Sequence, residues 1–249
     1  MTETPAPQRV LLPLDGSPAG ERLVRQAVAV ASARHLTLEG VTGNGASADA
    51  AETFARACRE AGVTGEARPV EGSVTRALLA RAPHCSLVMM TGERHAPTTH
   101  VLTESPLETV ARHTPVPVWV AHPEARPPER LVVAFHGERK AYHAVEIAAN
   151  LALAWCLPVS ILVVAEDGAE DVNEQDVNLA REELYVRKVH ETEAFFERGD
   201  PTTVLARHTD AGTLLVMGSY GDVTLLGFKF GRTVNGVIMH ARGPLLLCP

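Results

Sequence analysis

Short apolar runs alternate along the whole chain with segments whose apolar residues recur every three or four positions. The first run, Arg9 to Leu14, reads as a buried strand. Asp15-Gly16-Ser17-Pro18 follows, with Ser17 suited to a helix N-cap and Pro18 to the first helical position. From Glu21 to Ala33, residues Leu23, Ala27, Val28 and Ala31 fall on one helix face. The same reading predicts strands at Leu36–Thr42, Glu66–Val70, Ser86–Thr91 and Val116–Ala121. Between them it predicts helices at Ala51–Ala61, Ser73–Arg81 and Pro106–His113. His122-Pro-Glu-Ala-Arg-Pro-Pro-Glu129 has the composition of a linker. Beyond it, strands are predicted at Leu131–Phe135, Val159–Ala165, Glu193–Glu197, Leu214–Met217 and Leu245–Cys248. Helices are predicted at Lys140–Trp155, Glu174–His190, Pro201–His208 and Thr233–His240.

The second set repeats the first, which points to an internal duplication. Gly72 matches Gly199, and Gly92 matches Gly218. Arg112-His113-Thr-Pro-Val-Pro117-Val118 matches Met239-His240-Ala-Arg-Gly-Pro244-Leu245. Two domains are expected, over residues 1–123 and 130–249. Strands that alternate with helices pair in parallel and form doubly wound α/β sheets. Ligands of such sheets bind at the carboxyl ends of the strands, where the strand order reverses. Those ends carry Asp15 and Gly92 in the first half, and His136 and Gly218 in the second.

Composition narrows the function classes. With 45% hydrophobic and 21% charged residues over 249 positions, the chain is of globular type. No apolar run reaches the roughly 18 residues of a membrane helix, and the polar, Pro-rich start does not resemble a secretory signal. Residues 166–200 hold twelve acidic side chains against four Lys and Arg, so they carry more than the whole net charge of −7. A solvated helix face with its flanking loops is the expected role. No basic stripe points to nucleic acid. Cys58, Cys85, Cys156 and Cys248 lack metal or redox spacing and are expected as small buried thiols, in keeping with a cytoplasmic setting. The histidines, including the pairs His95/His100 and His136/His143, are expected on the surface or in local bonds, and no metal site is predicted. Trp119 and Trp155 read as core or interface residues. Ser17 and Ser219 lack a nucleophile elbow and are expected to cap or bond backbone.

The most informative stretch is Leu214-Leu-Val-Met-Gly218-Ser-Tyr-Gly221, which runs on through an apolar loop to Gly231-Arg-Thr233. An apolar strand ends on a glycine, a second glycine follows, and a third opens a helix. Glycine lets a ligand approach the backbone, and a helix start offers unpaired N–H groups to an anion. The pattern therefore suits a phosphate cradle, although ordinary turn glycines read alike. The loop Val223–Phe230 either packs over a ligand or makes an inter-domain contact.

These residues resemble the universal stress protein family. The resemblance lies in Val10-Leu-Leu-Pro-Leu-Asp15-Gly16-Ser17, in Leu87–Gly92 and Leu215–Gly218, in Arg112–Val118, and above all in Gly218-x2-Gly221-x9-Gly231. It spans both halves, so the chain resembles a tandem member. The resemblance implies two flavodoxin-like sheets of order 3-2-1-4-5, with the closing strands Val116–Ala121 and Leu245–Cys248 pairing within the chain as a pseudo-dimer. Pro117 and Pro244 would begin those strands.

The resemblance also implies ATP, with Mg²⁺ as its companion ion. Gly218, Gly221 and Gly231 would hold the phosphates, with Met217 beside them and Thr233 as a source of a hydroxyl, and Val164 or Ala165 would lie near adenine. In the first half Asp15, Val41 and Gly92 are the counterparts. There are departures. His136 stands where the family has Asp. Arg232 stands where a small hydroxyl residue is usual, and could either pair with a phosphate or fill the site. In the first half His95 replaces a glycine and Glu104 another, so that half is expected to be degenerate. The implied function is a stress-response protein with an adenine nucleotide as regulatory ligand and no enzymatic role beyond weak hydrolysis. A partner-binding scaffold without nucleotide and a slow nucleotide hydrolase are the alternatives. A homodimer of tandem chains and an unidentified protein partner complete the expectations.

Overall fold

The structure, a computed structural model, describes residues 9–43, 48–92, 105–136, 139–166, 174–190, 192–219 and 230–249. The chain divides between Pro127 and Pro128 into two compact units.

The first unit runs β1 (Arg9–Leu14), α1 (Pro18–Arg34), β2 (Thr37–Thr42), α2 (Ala48–Glu60), β3 (Gly65–Pro69), α3 (Val74–Arg81), β4 (Leu87–Thr91), α4 (Pro106–His113) and β5 (Val118–Ala121). Its strands lie in the order β3-β2-β1-β4-β5. The pairs are parallel, with Leu11 opposite Glu39 on one side and Val88 on the other. Side chains dictate where the helices begin. Ser17 Oγ accepts from Gly20 N at 3.0 Å and Pro18 takes the first turn of α1. Ser105 and Glu108 form a reciprocal capping box at α4, satisfying two of the donors that a helix start leaves unpaired. Helix α1 stops at His35, which adopts the left-handed conformation at φ 55°.

The second unit runs β6 (Arg130–Phe135), α5 (Arg139–Trp155), β7 (Val159–Ala165), α6 (Glu174–Val186), β8 (Thr192–Arg198), α7 (Pro201–Arg207), β9 (Thr213–Gly218), α8 (Arg232–His240) and β10 (Leu245–Cys248). Its order, β8-β7-β6-β9-β10, is the same arrangement. Both units are thus flavodoxin-like α/β sheets, as the alternation of strand and helix patterns requires. Right-handed crossovers place α1 and α2 on one face of their sheet and α3 and α4 on the other, and likewise for α5 to α8. Sheets covered on both faces need strands that are apolar on both sides. Leu11, Leu12, Val88, Met89, Leu131, Val133 and Leu214 to Val216 are accordingly fully buried. Trp119 and Trp155 lie in the cores.

The duplication extends to small details. Gly72 and Gly199, each just before an N-cap, both adopt positive φ, 83° and 138°. His113 Nδ1 donates to the Thr109 carbonyl at 2.9 Å, and His240 Nδ1 donates to that of Gly236 at 2.8 Å.

Several expectations need correction. Helix α6 ends at Val186, not His190, because Lys188 turns left-handed at φ 69°. Strand β5 begins at Val118, two residues late, and β10 at Leu245, so Pro117 and Pro244 precede their strands rather than begin them. Cys156 is exposed; it follows α5 with φ 52°, and its thiol lies 4.0 Å from the Leu153 carbonyl. The other three thiols are buried, and burial pushes each of them up. The acidic segment is only partly a free solvated face: Arg187 pairs with Glu183 at 2.8 Å and Glu146 at 3.4 Å.

One charge is buried in the first unit. The Glu39 side chain, 4% exposed, meets Arg81, Arg9 at 3.6 Å and Arg68 at 3.8 Å. Its bond to Arg81 raises that guanidinium's pKa. Replacing Glu39 by Ala is expected to cost about 2–3 kcal/mol, read as urea unfolding of the full chain, because three guanidinium groups lose their common partner. In the second unit, a Cβ at Gly243 would collide with the Asp210 carbonyl oxygen and lie 2.7 Å from that of Thr213. Backbone cannot yield as a side chain can. Gly243→Ala is therefore expected to destabilise by about 1–3 kcal/mol in the same measurement.

Candidate functional site

The strand order reverses between β1 and β4, and between β6 and β9. The carboxyl ends of those strands frame a crevice in each unit.

In the first unit, Asp15 ends β1. Its Oδ1 accepts from Ser17 N at 2.9 Å and from Ser17 Oγ at 2.8 Å, a local turn that leads into α1. This arrangement needs Gly20, where a Cβ would strike Asp15 Oδ1. A cavity of about 50 Å³ opens beside it, and Asp15, Glu21 and Asp49 are among its lining residues. Acidic residues around a cavity of this size disfavour phosphate. Val41 is fully buried in β2 and presents no surface to a ligand. Gly92 ends β4 and lines a smaller cleft, about 20 Å³, with Ala19, Arg22, Thr91 and His122. Burial holds His122 below the usual imidazole range, with Glu124 opposing that shift.

In the second unit, β9 ends at Gly218 and Ser219 follows. Ser219 N donates to the Cys248 carbonyl at 2.8 Å, which ties the strand end to β10. Among the described residues its buried hydroxyl has no hydrogen-bond partner, where a capping or backbone bond was expected. Gly231 is the N-cap of α8, and among the described residues no side chain caps that helix. Arg232 occupies the first helical position. Its side chain is 87% exposed and its guanidinium contacts Asp200 Oδ2 at 3.4 Å. The guanidinium therefore turns to a carboxylate at the helix surface instead of filling the crevice. Thr233 is half-buried behind it.

Asp200 was not legible as part of this site. It is the N-cap of α7, where Oδ1 accepts from Thr203 N and Thr203 Oγ1, each at 2.9 Å. These two bonds hold its carboxyl below the usual carboxylate range, and Arg232 adds to the effect. An Asp followed by Pro201 at a helix start was the available signal. Nothing local in the sequence links it to Arg232, thirty-two residues on.

The remaining predicted residues lie at the strand ends. His136 is exposed at the end of β6, next to Phe135, whose ring meets Tyr142 edge-on at 5.0 Å. Val164 near the end of β7 keeps part of its surface, whereas Met217 is 6% exposed. Gly221, His95, His100, Glu104 and the loop 223–229 lie outside the described residues. Asp15, Val41 and Gly92 belong to the first unit. Val164, Met217, Gly218, Gly231, Arg232 and Thr233 belong to the second. Among the described residues no helix is long and apolar enough to cross a membrane.

The universal stress protein family profile matches residues 128–249. No curated protein matches the sequence. Among solved structures, a universal stress protein from Archaeoglobus fulgidus DSM 4304 is similar with a TM-score of 0.70 and 20% identity, over 96% of this chain and 97% of that one. A functionally unknown protein from Pseudomonas aeruginosa PAO1 is similar with a TM-score of 0.65 and 15% identity, over 98% and 92%. At these identities the likeness is one of fold, and it covers both units. The second half of this chain, residues 128–249, is a domain of the universal stress protein family.

Proposed function

We propose that the second unit binds ATP or a related adenine nucleotide as a regulatory ligand, within a stress-response protein of the cytoplasm. The observation that carries this reading is the placement of two spaced glycines. Gly218 ends a buried strand at the reversal of strand order, and Gly231 caps the helix that follows. Both fall in the segment matched to the family.

The residues fit the parts of a nucleotide unequally. The start of α8 suits phosphate, since its N-cap, Gly231, brings no side chain and a helix N-terminus favours negative charge. Val164 offers apolar surface at the end of the neighbouring strand, suited to a base. His136 stands at the end of β6 and could donate to a ribose hydroxyl, a weaker substitute for a carboxylate acceptor. Magnesium, if present, would accompany the phosphates. These roles are binding roles.

A second reading is favoured by the carboxylates lining the first unit's cavity and by the departures at His136 and Arg232. In it, the chain is a scaffold for protein partners and holds no nucleotide. Calorimetric titration of the full chain with ATP and Mg²⁺ separates the two. The nucleotide reading expects one equivalent bound per chain, and Gly218→Val is expected to weaken it at least about tenfold, or ~1.4 kcal/mol. Binding untouched by that substitution would place the nucleotide elsewhere. No binding, with no nucleotide released from the purified protein, would leave the scaffold.

A further inference from the structure

We infer that Asp200 and Arg232 form an exchangeable ion pair that sets the second unit's preference for ligands with a polyphosphate chain. The inference rests on the nucleotide reading and adds a residue and a direction of selectivity to it.

Helices α7 and α8 pack closely along their flanks. A Cβ at Gly236 would lie 2.6 Å from Thr202 Oγ1, so the helices approach where glycine allows it. Asp200 begins α7 and Arg232 begins α8, and the ion pair joins the two helix starts. Both starts carry unpaired N–H groups. The start of α7 is closed, because Asp200 Oδ1 takes both the Thr203 N–H and its hydroxyl. At the start of α8, Gly231 has no side chain with which to cap the helix. The remaining oxygen of Asp200 faces Arg232.

An anion arriving at the start of α8 meets the negative charge of Asp200. A small residue at position 232 would leave that repulsion unscreened. Arg232 cancels it, and the guanidinium is weakly held: the contact is 3.4 Å and the side chain is 87% exposed. Exposed pairs of this kind contribute little to folding and exchange readily. A guanidinium can turn from one carboxylate oxygen to two phosphate oxygens, a bidentate geometry it matches well. The exchange repays the lost carboxylate contact only when the ligand brings more negative charge than Asp200 did. A triphosphate does so, and a cyclic monophosphate with a single charge does not. The Ser219 hydroxyl, buried just after β9, is a second polar group in this unit, and it has no hydrogen-bond partner among the described residues.

The test is a double-substitution cycle on the full chain, with ATP and cyclic AMP as calorimetric probes and thermal melts to check folding. Asn caps a helix about as well as Asp, so Asp200→Asn keeps α7 intact. Arg232→Ser is expected to weaken ATP binding about tenfold and to change cyclic AMP binding less than about threefold. Asp200→Asn is expected to tighten ATP binding severalfold. The double variant is expected near the wild-type ATP affinity, since both charges leave together. The differences should shrink as salt is raised. Tighter ATP binding by Arg232→Ser would show that the arginine obstructs the crevice and would overturn the inference. So would a double variant that binds ATP as weakly as Arg232→Ser alone, or equal effects on both probes. Absence of nucleotide binding by the wild-type chain would remove the nucleotide reading and this inference together.

Discussion

Parallel pairing of strands buried on both faces is the constraint on which the rest of this protein depends. In the second unit β6 lies between β7 and β9, with Val133 opposite Ile161 on one side and Val216 on the other. A strand in that position needs apolar residues on both faces, and helices must cover both sides. The connection from β6 leads one way along the sheet and that from β9 leads the other. A crevice opens at their carboxyl ends because no crossover can fill it. The glycines and helix starts gather there for this reason, and so does any ligand chemistry.

The two units solve the same packing problem with different charges. In the first, the end of α3 is tied to the sheet by Arg81 and Glu39, from the second strand. In the second, the end of α7 is tied by His208 to Glu197, from the third strand, at 2.6 Å, and Arg207 joins the same carboxylate. The closing helices keep the same histidine-to-carbonyl bond in both units. Duplication has preserved geometry and let the chemistry of the crevices diverge. In the first unit acidic residues line a cavity beside α1 and α2, whereas in the second a glycine-capped helix start and an arginine stand near the crevice.

Much of the fold was legible because its signals are local. Ser17-Pro18, Ser105-Pro106 and the glycine before each third helix announce their turns through hydrogen bonds and φ values set within four residues. Element types were read correctly throughout, and boundaries shifted by only a few residues. The misreadings share a cause. The early end of α6 depends on one left-handed residue, Lys188, that propensity does not mark. Cys156 looked apolar by its neighbours, yet its left-handed backbone after the helix turns it to solvent. Ser219 looked like a turn residue, yet the strand that receives its N–H carries its hydroxyl into the interior.

The sequence by itself determined the alternation of strand and helix, the duplication, the helix caps and the glycine spacing, because each rests on contacts between near neighbours or on periodicity. Only the tertiary structure decided which carboxylate faces which arginine. Asp200 and Arg232 are distant in the chain and lie at separate helix starts, and they meet because α7 and α8 pack against one another at Gly236. Burial was decided in the same way: Glu39 gathers arginines from β1, β3 and α3, three elements that only the folded sheet brings to one carboxylate.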